Sequence, residues 1–321
     1  MTRKNLMSEI KNFGINLNFD SLGEAYGWPP GFVEDKAFTK GLDRITDLCR
    51  KLNIPITIFV VGKDLENKKN FNILKKISEN NDVEIANHSY NHVFNFGSLN
   101  EYEAYDEIYK SHKIIYDCTG KECKGFISPA WAISKNIVKN LIKMNYSYDT
   151  SFFRSIYLYP MIAKIFLSHI LGKKYSKAFK IINRRDYLIP FKYKNEPFFL
   201  NSEMQMVSKE TKDSILELPM PAINNMQTPI WNTMGYVFGF NYLKKKLKVI
   251  LDKKKPFFFL IHPADFLDKE DMDSNYSLAL ERMDKENYKS KLNNLEDVLN
   301  LILSNGYKGK KLNELANMER N

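Results

Sequence analysis

Cysteine is scarce in this 321-residue chain: Cys49, Cys118 and Cys123 are odd in number and lack disulfide or metal-ligand spacing. They exclude a cystine-stapled scaffold and read as reduced thiols of a cytoplasmic protein. The amino terminus, Met-Thr-Arg-Lys-Asn-Leu-Met-Ser-Glu-Ile, has neither an apolar core nor a small-residue cleavage site, so no secretory signal is expected. A strongly apolar run, Pro160–Leu171, is too short to span a bilayer and carries Lys164. No internal repeat is visible. Histidine is scarce as well. Of five in the chain, two stand four residues apart in Asn87-His88-Ser89-Tyr90-Asn91-His92.

What is present is an ordinary globular composition, 44% hydrophobic and 27% charged, in a chain long enough to bury a full core. We read residues 1–321 as one domain with an insertion at about 152–208. Charge concentrates in that insertion: residues 152–200 hold ten Lys or Arg against two acids, together with twelve Phe or Tyr. A basic, aromatic segment beside an apolar helix suits a solvated excursion first. An anionic membrane surface or anionic substrate comes second. Single-stranded nucleic acid is a distant third, and nucleic acid is not expected as a partner.

Elsewhere β-prone runs alternate with amphipathic helical patterns. Strands are expected at Gly14–Asp20, Pro55–Val61, Val83–Ala86, Gly125–Ser128, Tyr146–Thr150, Ile215–Met220 and Pro256–His262. Helices are expected at Thr39–Leu52, Phe71–Glu79, Ser98–Tyr116, Ser134–Met144, Asn241–Lys253 and Lys289–Leu303, the third opening with a Ser98-to-Glu101 capping box. Such alternation predicts an α/β fold with parallel strands and crossover helices, an open sheet or a barrel. Ligands of such folds collect beyond the carboxyl ends of the strands. Those ends are polar here: Asn18-Phe19-Asp20-Ser21, His88 with His92, Ser128-Pro129-Ala130-Trp131, Asp149-Thr150-Ser151 and His262-Pro263-Ala264-Asp265. A lone Asp at a strand end is usually a turn residue. Five polar ends facing one rim point to a site. On one turn of helix, histidines at i and i+4 converge on one metal ion, which needs a third ligand from elsewhere.

The order and spacing of these residues resemble the polysaccharide deacetylase (NodB-homology) family. The matching segments are Asn18–Ser21, His88–His92, Ile127-Ser128-Pro129 and Leu260-Ile261-His262, with similar strands at Pro55–Gly62 and Leu216–Pro219. The resemblance covers roughly residues 14 to 316. It implies a distorted (β/α) barrel, with the basic segment inserted, that removes acetyl groups with the help of one divalent transition metal. Zinc is the foremost candidate, with cobalt, nickel or iron as alternatives. It assigns Asp20, His88 and His92 as metal ligands and His262 as the acid that protonates the leaving amine. Asn18, Pro129 and Trp131 would line the substrate.

This chain departs from the family pattern in two linked places. Either Ser21 replaces a metal ligand, with Asp20 as base, or Asn18 replaces the base, with Asp20 on the metal. We adopt the second, because it keeps Asp20, His88 and His92 together. An amide at 18 cannot take a proton as a carboxylate does. Ile127 stands where the family has an arginine. Asp149 and Glu24 are the candidate replacement bases. Three readings follow. The first is a deacetylase of an N-acetylated sugar in a cell-surface polysaccharide or its lipid-linked precursor, the latter met at the inner membrane face through residues 152–200. The second is a carbohydrate-binding homologue without turnover. The third is an amidohydrolase acting on a non-sugar amide.

Overall fold

The computed structural model describes residues 11–20, 35–171, 184, 186–271 and 286–320. Strand β1 (Lys11–Phe19) is buried on both faces, which is what a parallel strand covered from two sides requires. Its odd residues Phe13, Ile15, Leu17 and Phe19 join the hydrophobic core, and its even residues Asn12, Asn16 and Asn18 are buried on the opposite face.

One edge of β1 pairs in parallel with β11 (Phe257–Ile261). The other is shared: β12 (Tyr307–Lys310) takes Lys11–Gly14, and β2 (Ile56–Val60) takes Ile15–Phe19. Beyond β2 follow β3 (Val83–Asn87), β4 (Gly125–Phe126), β5 (Tyr148–Asp149) and β8 (Ser214–Glu217), all parallel. The sheet then turns antiparallel through β6 (Phe198–Asn201) and β7 (Met206–Val207). A separate two-stranded ribbon joins β9 (Ala222–Ile223) to β10 (Thr228–Pro229). Among the described residues the hydrogen-bonded ladder does not close into a ring, so the architecture is a mixed α/β fold on a mainly parallel sheet.

The connecting helices are α1 (Leu42–Lys51), α2 (Lys68–Ser78), α3 (Glu101–Thr119), α4 (Lys135–Lys143), α5 (Leu158–Leu171), α6 (Thr233–Phe238), α7 (Phe240–Asp252), α8 (Tyr288–Ser304) and α9 (Leu312–Arg320). The capping box of α3 lies two residues later than Ser98: the Asn100 side chain accepts from the Glu103 N–H, and Glu103 accepts from the Asn100 N–H. Ser98 instead ends a short 3-10 turn that precedes the cap. No helix among the described residues is long and apolar enough to cross a membrane. Cys49, Cys118 and Cys123 are buried and free.

The inner face of the sheet is floored by the start of α9. The Leu312 N–H donates to Thr57 Oγ1 at 2.9 Å and the Asn313 N–H to Glu84 Oε2 at 3.0 Å. Thr57 and Tyr148 hydroxyls donate to the same carboxylate, so its lone pairs are filled from three sides. Because the strands run parallel, Asp20, His88 and His262 all emerge at the opposite rim.

Candidate metal centre

After β3 the chain does not form a turn of helix. Residues 88–92 are a loop in which Ser89 (φ 62°) and His92 (φ 51°) are left-handed, a conformation a helix cannot contain. The loop is held from all sides. Asn87 Oδ1 accepts from the Ser89 N–H, and Ser89 Oγ accepts from the His92 N–H. The Glu107 carboxylate of α3 accepts from the Tyr90 and Asn91 N–H groups, at 3.2 and 2.8 Å. The rings of His88 and His92 still converge, their centroids 4.9 Å apart, by a route other than the helical one expected from their spacing.

Asp20 meets them from the end of β1. Its Oδ1 lies 3.1 Å from His88 Nε2 and 3.2 Å from His92 Nε2. For metal–ligand bonds of ~2.0–2.1 Å, neighbouring ligands of a tetrahedral ion sit about 3.3 Å apart, so the set has the dimensions of such a site. His88 Nδ1 faces the Ile127 carbonyl oxygen at 2.7 Å. It therefore carries the proton and donates it there, leaving the Nε2 lone pair facing Asp20. Burial pushes His88 below its ordinary value, against the opposing pull of Asp20, which favours this neutral, ligating form. Burial acts to raise the Asp20 carboxyl, but the charge and hydrogen bond of His92 outweigh it and hold the group well below 3.8. The histidine side chains are nearly inaccessible, while 23% of Asp20 remains exposed, so the trio opens toward solvent on the carboxylate side.

Asn18 lies on the same strand face as Asp20, is 5% exposed, and its Oδ1 has no hydrogen-bond partner. His262 follows Ile261, which pairs with Leu17, so it comes level with Asn18 across β1 and β11. Its backbone is fixed by reciprocal bonds with Asp265, each 2.9 Å. Its ring lies edge-on to Trp231 at 5.6 Å. Trp231 in turn packs 5.3 Å from Trp131 and 5.7 Å from Phe153, forming an aromatic wall that runs to His262. Pro129 opens the 3-10 turn that ends at Trp131, where Ala130 and Trp131 are both left-handed. Trp231 and Phe153 were not singled out from the sequence. Their only advance signal is that Trp231 is one of three tryptophans and Phe153 follows a strand end.

Asp149 requires a correction. It pairs in register with Phe126 and, through Phe126, with Asn87, whose amide donates to the Ile108 carbonyl of α3. Asp149 therefore faces the helices, whereas the next residue, Thr150, faces inward, with Oγ1 3.5 Å from Asn16 Nδ2. The Asp149 carboxyl accepts from the Ser151 hydroxyl (2.5 Å) and N–H (3.1 Å) and adjoins Glu217. Burial pushes Asp149 up to about 6 and Glu217 well above its usual range, the latter helped by the Asp149 charge. The two form a buried carboxyl pair of the helix layer, and the position does not support a base at the Asp20–His88–His92 cluster. Ser21 and Glu24 lie outside the described residues. Ile127 is wholly buried, and its contribution to the site is its carbonyl.

Comparison with known proteins points the same way. Residues 16–148 match the family model for polysaccharide deacetylases. A peptidoglycan deacetylase of Helicobacter pylori is 26% identical over 150 residues, 47% of each chain, so the match spans about half the length of that curated relative. A Mycobacterium smegmatis protein assigned as a polysaccharide deacetylase superposes with a TM-score of 0.57 at 13% identity, covering 97% of this chain and 91% of its own. A CE4 family pseudoenzyme from Bacillus anthracis does so at 0.50 and 14% identity, over 96% of this chain and 66% of its own. At such identities the two structures speak for the fold.

Proposed function

Because the chain belongs to the polysaccharide deacetylase family, of the NodB-homology type, we propose that it is a hydrolase removing an acetyl group from an N-acetylated sugar of a cell-surface polysaccharide. Asp20, His88 and His92 would hold one divalent transition metal, zinc foremost. The observation that carries this reading is a single carboxylate oxygen 3.1 and 3.2 Å from two imidazole Nε2 atoms. The His88 ring is at the same time oriented by a main-chain carbonyl. When bound, such an ion polarises the acetyl carbonyl and lowers the pKa of a bound water.

The remaining chemistry falls to the chain's own groups. His262, at the same rim, would protonate the departing amine. The wall of Trp131, Phe153 and Trp231, with Pro129 at its foot, offers an apolar face to the acetyl methyl or a sugar ring. Asn18 Oδ1 accepts a hydrogen bond from the attacking water or the substrate amide and orients it, but takes no proton. That last fact favours a second reading, a glycan-binding homologue with little turnover, since loss of a general base costs roughly two to four orders of magnitude in rate. A lipid-linked precursor is the alternative substrate, supported by the basic segment 152–200.

Two measurements on one preparation test the reading: metal content of chelator-free protein, wild type beside His92→Ala, and acetate release from an N-acetylated glycan. About one metal per chain, lost in the variant, with acetate released by the wild type only, is the expected result. A wild type that stays metal-free when zinc, cobalt and iron are offered would end the metal-hydrolase proposal. Metal without acetate release would select the binding reading.

A further inference from the structure

The inserted segment returns to the rim of the site at two buried residues of opposite charge, Arg184 (6% exposed) and Asp186 (5%). Their pairing is bidentate: Arg184 Nε donates to Asp186 Oδ1 at 3.0 Å and Nη2 to Oδ2 at 2.8 Å. Neither residue stops at its partner. Arg184 Nη1 donates to the Ala130 carbonyl at 3.0 Å, and the Ile133 N–H donates to Asp186 Oδ2 at 2.8 Å. Tyr187 covers the guanidinium, its ring centroid 4.4 Å away.

These contacts grip both ends of an unusual stretch of backbone. Ala130 (φ 48°) and Trp131 (φ 50°) are consecutive non-glycine residues in the left-handed region, each disfavoured by a clash between its Cβ and the backbone. Such a conformation persists only where its surroundings impose it. A third segment joins at Gly97, where a Cβ would stand 2.7 Å from Asp186 Oδ2. Gly97 belongs to the turn Phe96–Ser98, which begins four residues after His92. One buried ion pair thus ties together the chain leaving the metal-ligand loop, the loop carrying Trp131, and the insertion.

We propose that Arg184 and Asp186 are positioning residues that hold Trp131 in the substrate wall, so that the basic insertion serves substrate binding. The proposal rests on the reading of Trp131 as a substrate contact. A guanidinium suits the task because its fork satisfies both Asp186 oxygens and leaves a donor for Ala130. A lysine ammonium, a single point of charge, does not reach all three acceptors in that geometry.

The test is Arg184→Met beside Arg184→Lys, with three readouts. Acrylamide quenching of Trp131 is isolated by subtracting the matching Trp131→Phe protein. Metal stoichiometry and the KM and kcat for an N-acetylated glycan complete the set. For Arg184→Met the Trp131 quenching constant rises severalfold and KM about tenfold or more, while kcat and metal content change less than about threefold. Arg184→Lys restores the melting temperature but not the quenching or KM. Unchanged Trp131 quenching overturns the proposal, as does a joint fall of kcat, metal content and substrate affinity. Should Arg184→Met not fold, Gly97→Ala, which displaces Asp186 without stranding a lone buried charge, is judged by the same criteria. If the wild type releases no acetate from any glycan, the proposed function fails, while the quenching comparison still decides the role of the pair.

Discussion

The Asp149–Glu217 pair makes stability depend on pH in a direction opposite to that of most carboxylates. An ionised Asp149 faces burial, with Glu217 beside it, and its pKa is pushed from 3.8 to about 6. A proton that binds the folded chain more tightly than the unfolded one stabilises the fold while it is bound. That stabilisation is complete below about pH 4 and disappears as pH rises through about 6. At ~1.4 kcal/mol per tenfold change in proton affinity, the rise from 3.8 to about 6 is worth at most ~3 kcal/mol. Asp149→Asn removes the titrating group at nearly constant shape. Its amide oxygen still accepts from the Ser151 hydroxyl and N–H, and its NH2 can donate to Glu217. Urea unfolding of both proteins from pH 4.5 to 7.5 reports the coupled titration of Asp149 and Glu217, because distant groups such as Asp20, whose pKa is depressed, titrate alike in each. The difference in unfolding free energy should move in favour of the variant by about 1–3 kcal/mol across that range, whatever its offset at the acid end. A pH-independent difference would show that Asp149 does not titrate in this range, and the raised carboxyl inferred from its burial would fall with it.

Two further changes probe packing, one at the floor of the sheet and one behind the loop that follows His262. Gly125→Ala would drive a methyl group into the Tyr148 ring and dislodge the phenol from Glu84, for a loss of about 2–4 kcal/mol read from the urea midpoint. A loss under about 1 kcal/mol would mean the two strands separate more easily than this packing allows. Lys291, fully buried on α8, donates to the Ala264 and Leu267 carbonyls at 2.9 and 2.7 Å, bracing the loop that follows His262. Lys291→Met leaves those carbonyls without that donor and should cost about 2–4 kcal/mol. Amide exchange at residues 264–268 should quicken; unchanged exchange there would argue against the brace.

Much of the molecule was legible because the pattern was strong. The seven expected strands and six expected helices all recur, most with ends moved by one to four residues, since apolar periodicity marks the middle of an element better than its end. The antiparallel excursion of β6 and β7, the β9–β10 ribbon and β12 left too little trace. Tyr307-Lys308-Gly309-Lys310 is polar on its face and becomes a strand only because β1 offers it an edge. That Asp20, His88 and His92 come together was readable from residue type and order, while the route by which they do so was not. The spacing of His88 and His92 suggested a helix, and two left-handed residues made a loop instead. Asp149 misled because it does end a strand. Which face it takes depends on register, and register is set by partners about seventy residues away. In the sequence Arg184 and Asp186 are only charges in a basic segment; nothing local marks them as buried.

The placement of β1 has a consequence for how the chain acquires this shape. Its first residues wait for β12, and the edge taken by β11 has its partner about 240 residues further along, so one end of the sheet is built from the most distant contacts in the sequence. On the ribosome, β1 can find β2 early, but its other edge, flanked by Phe13, Ile15, Leu17 and Phe19, stays open until residues 257–261 emerge. Folding is thus paced by synthesis of the last quarter of the chain. Until then the nascent protein presents an apolar edge that a second nascent copy can pair with, and self-association during synthesis becomes its characteristic hazard.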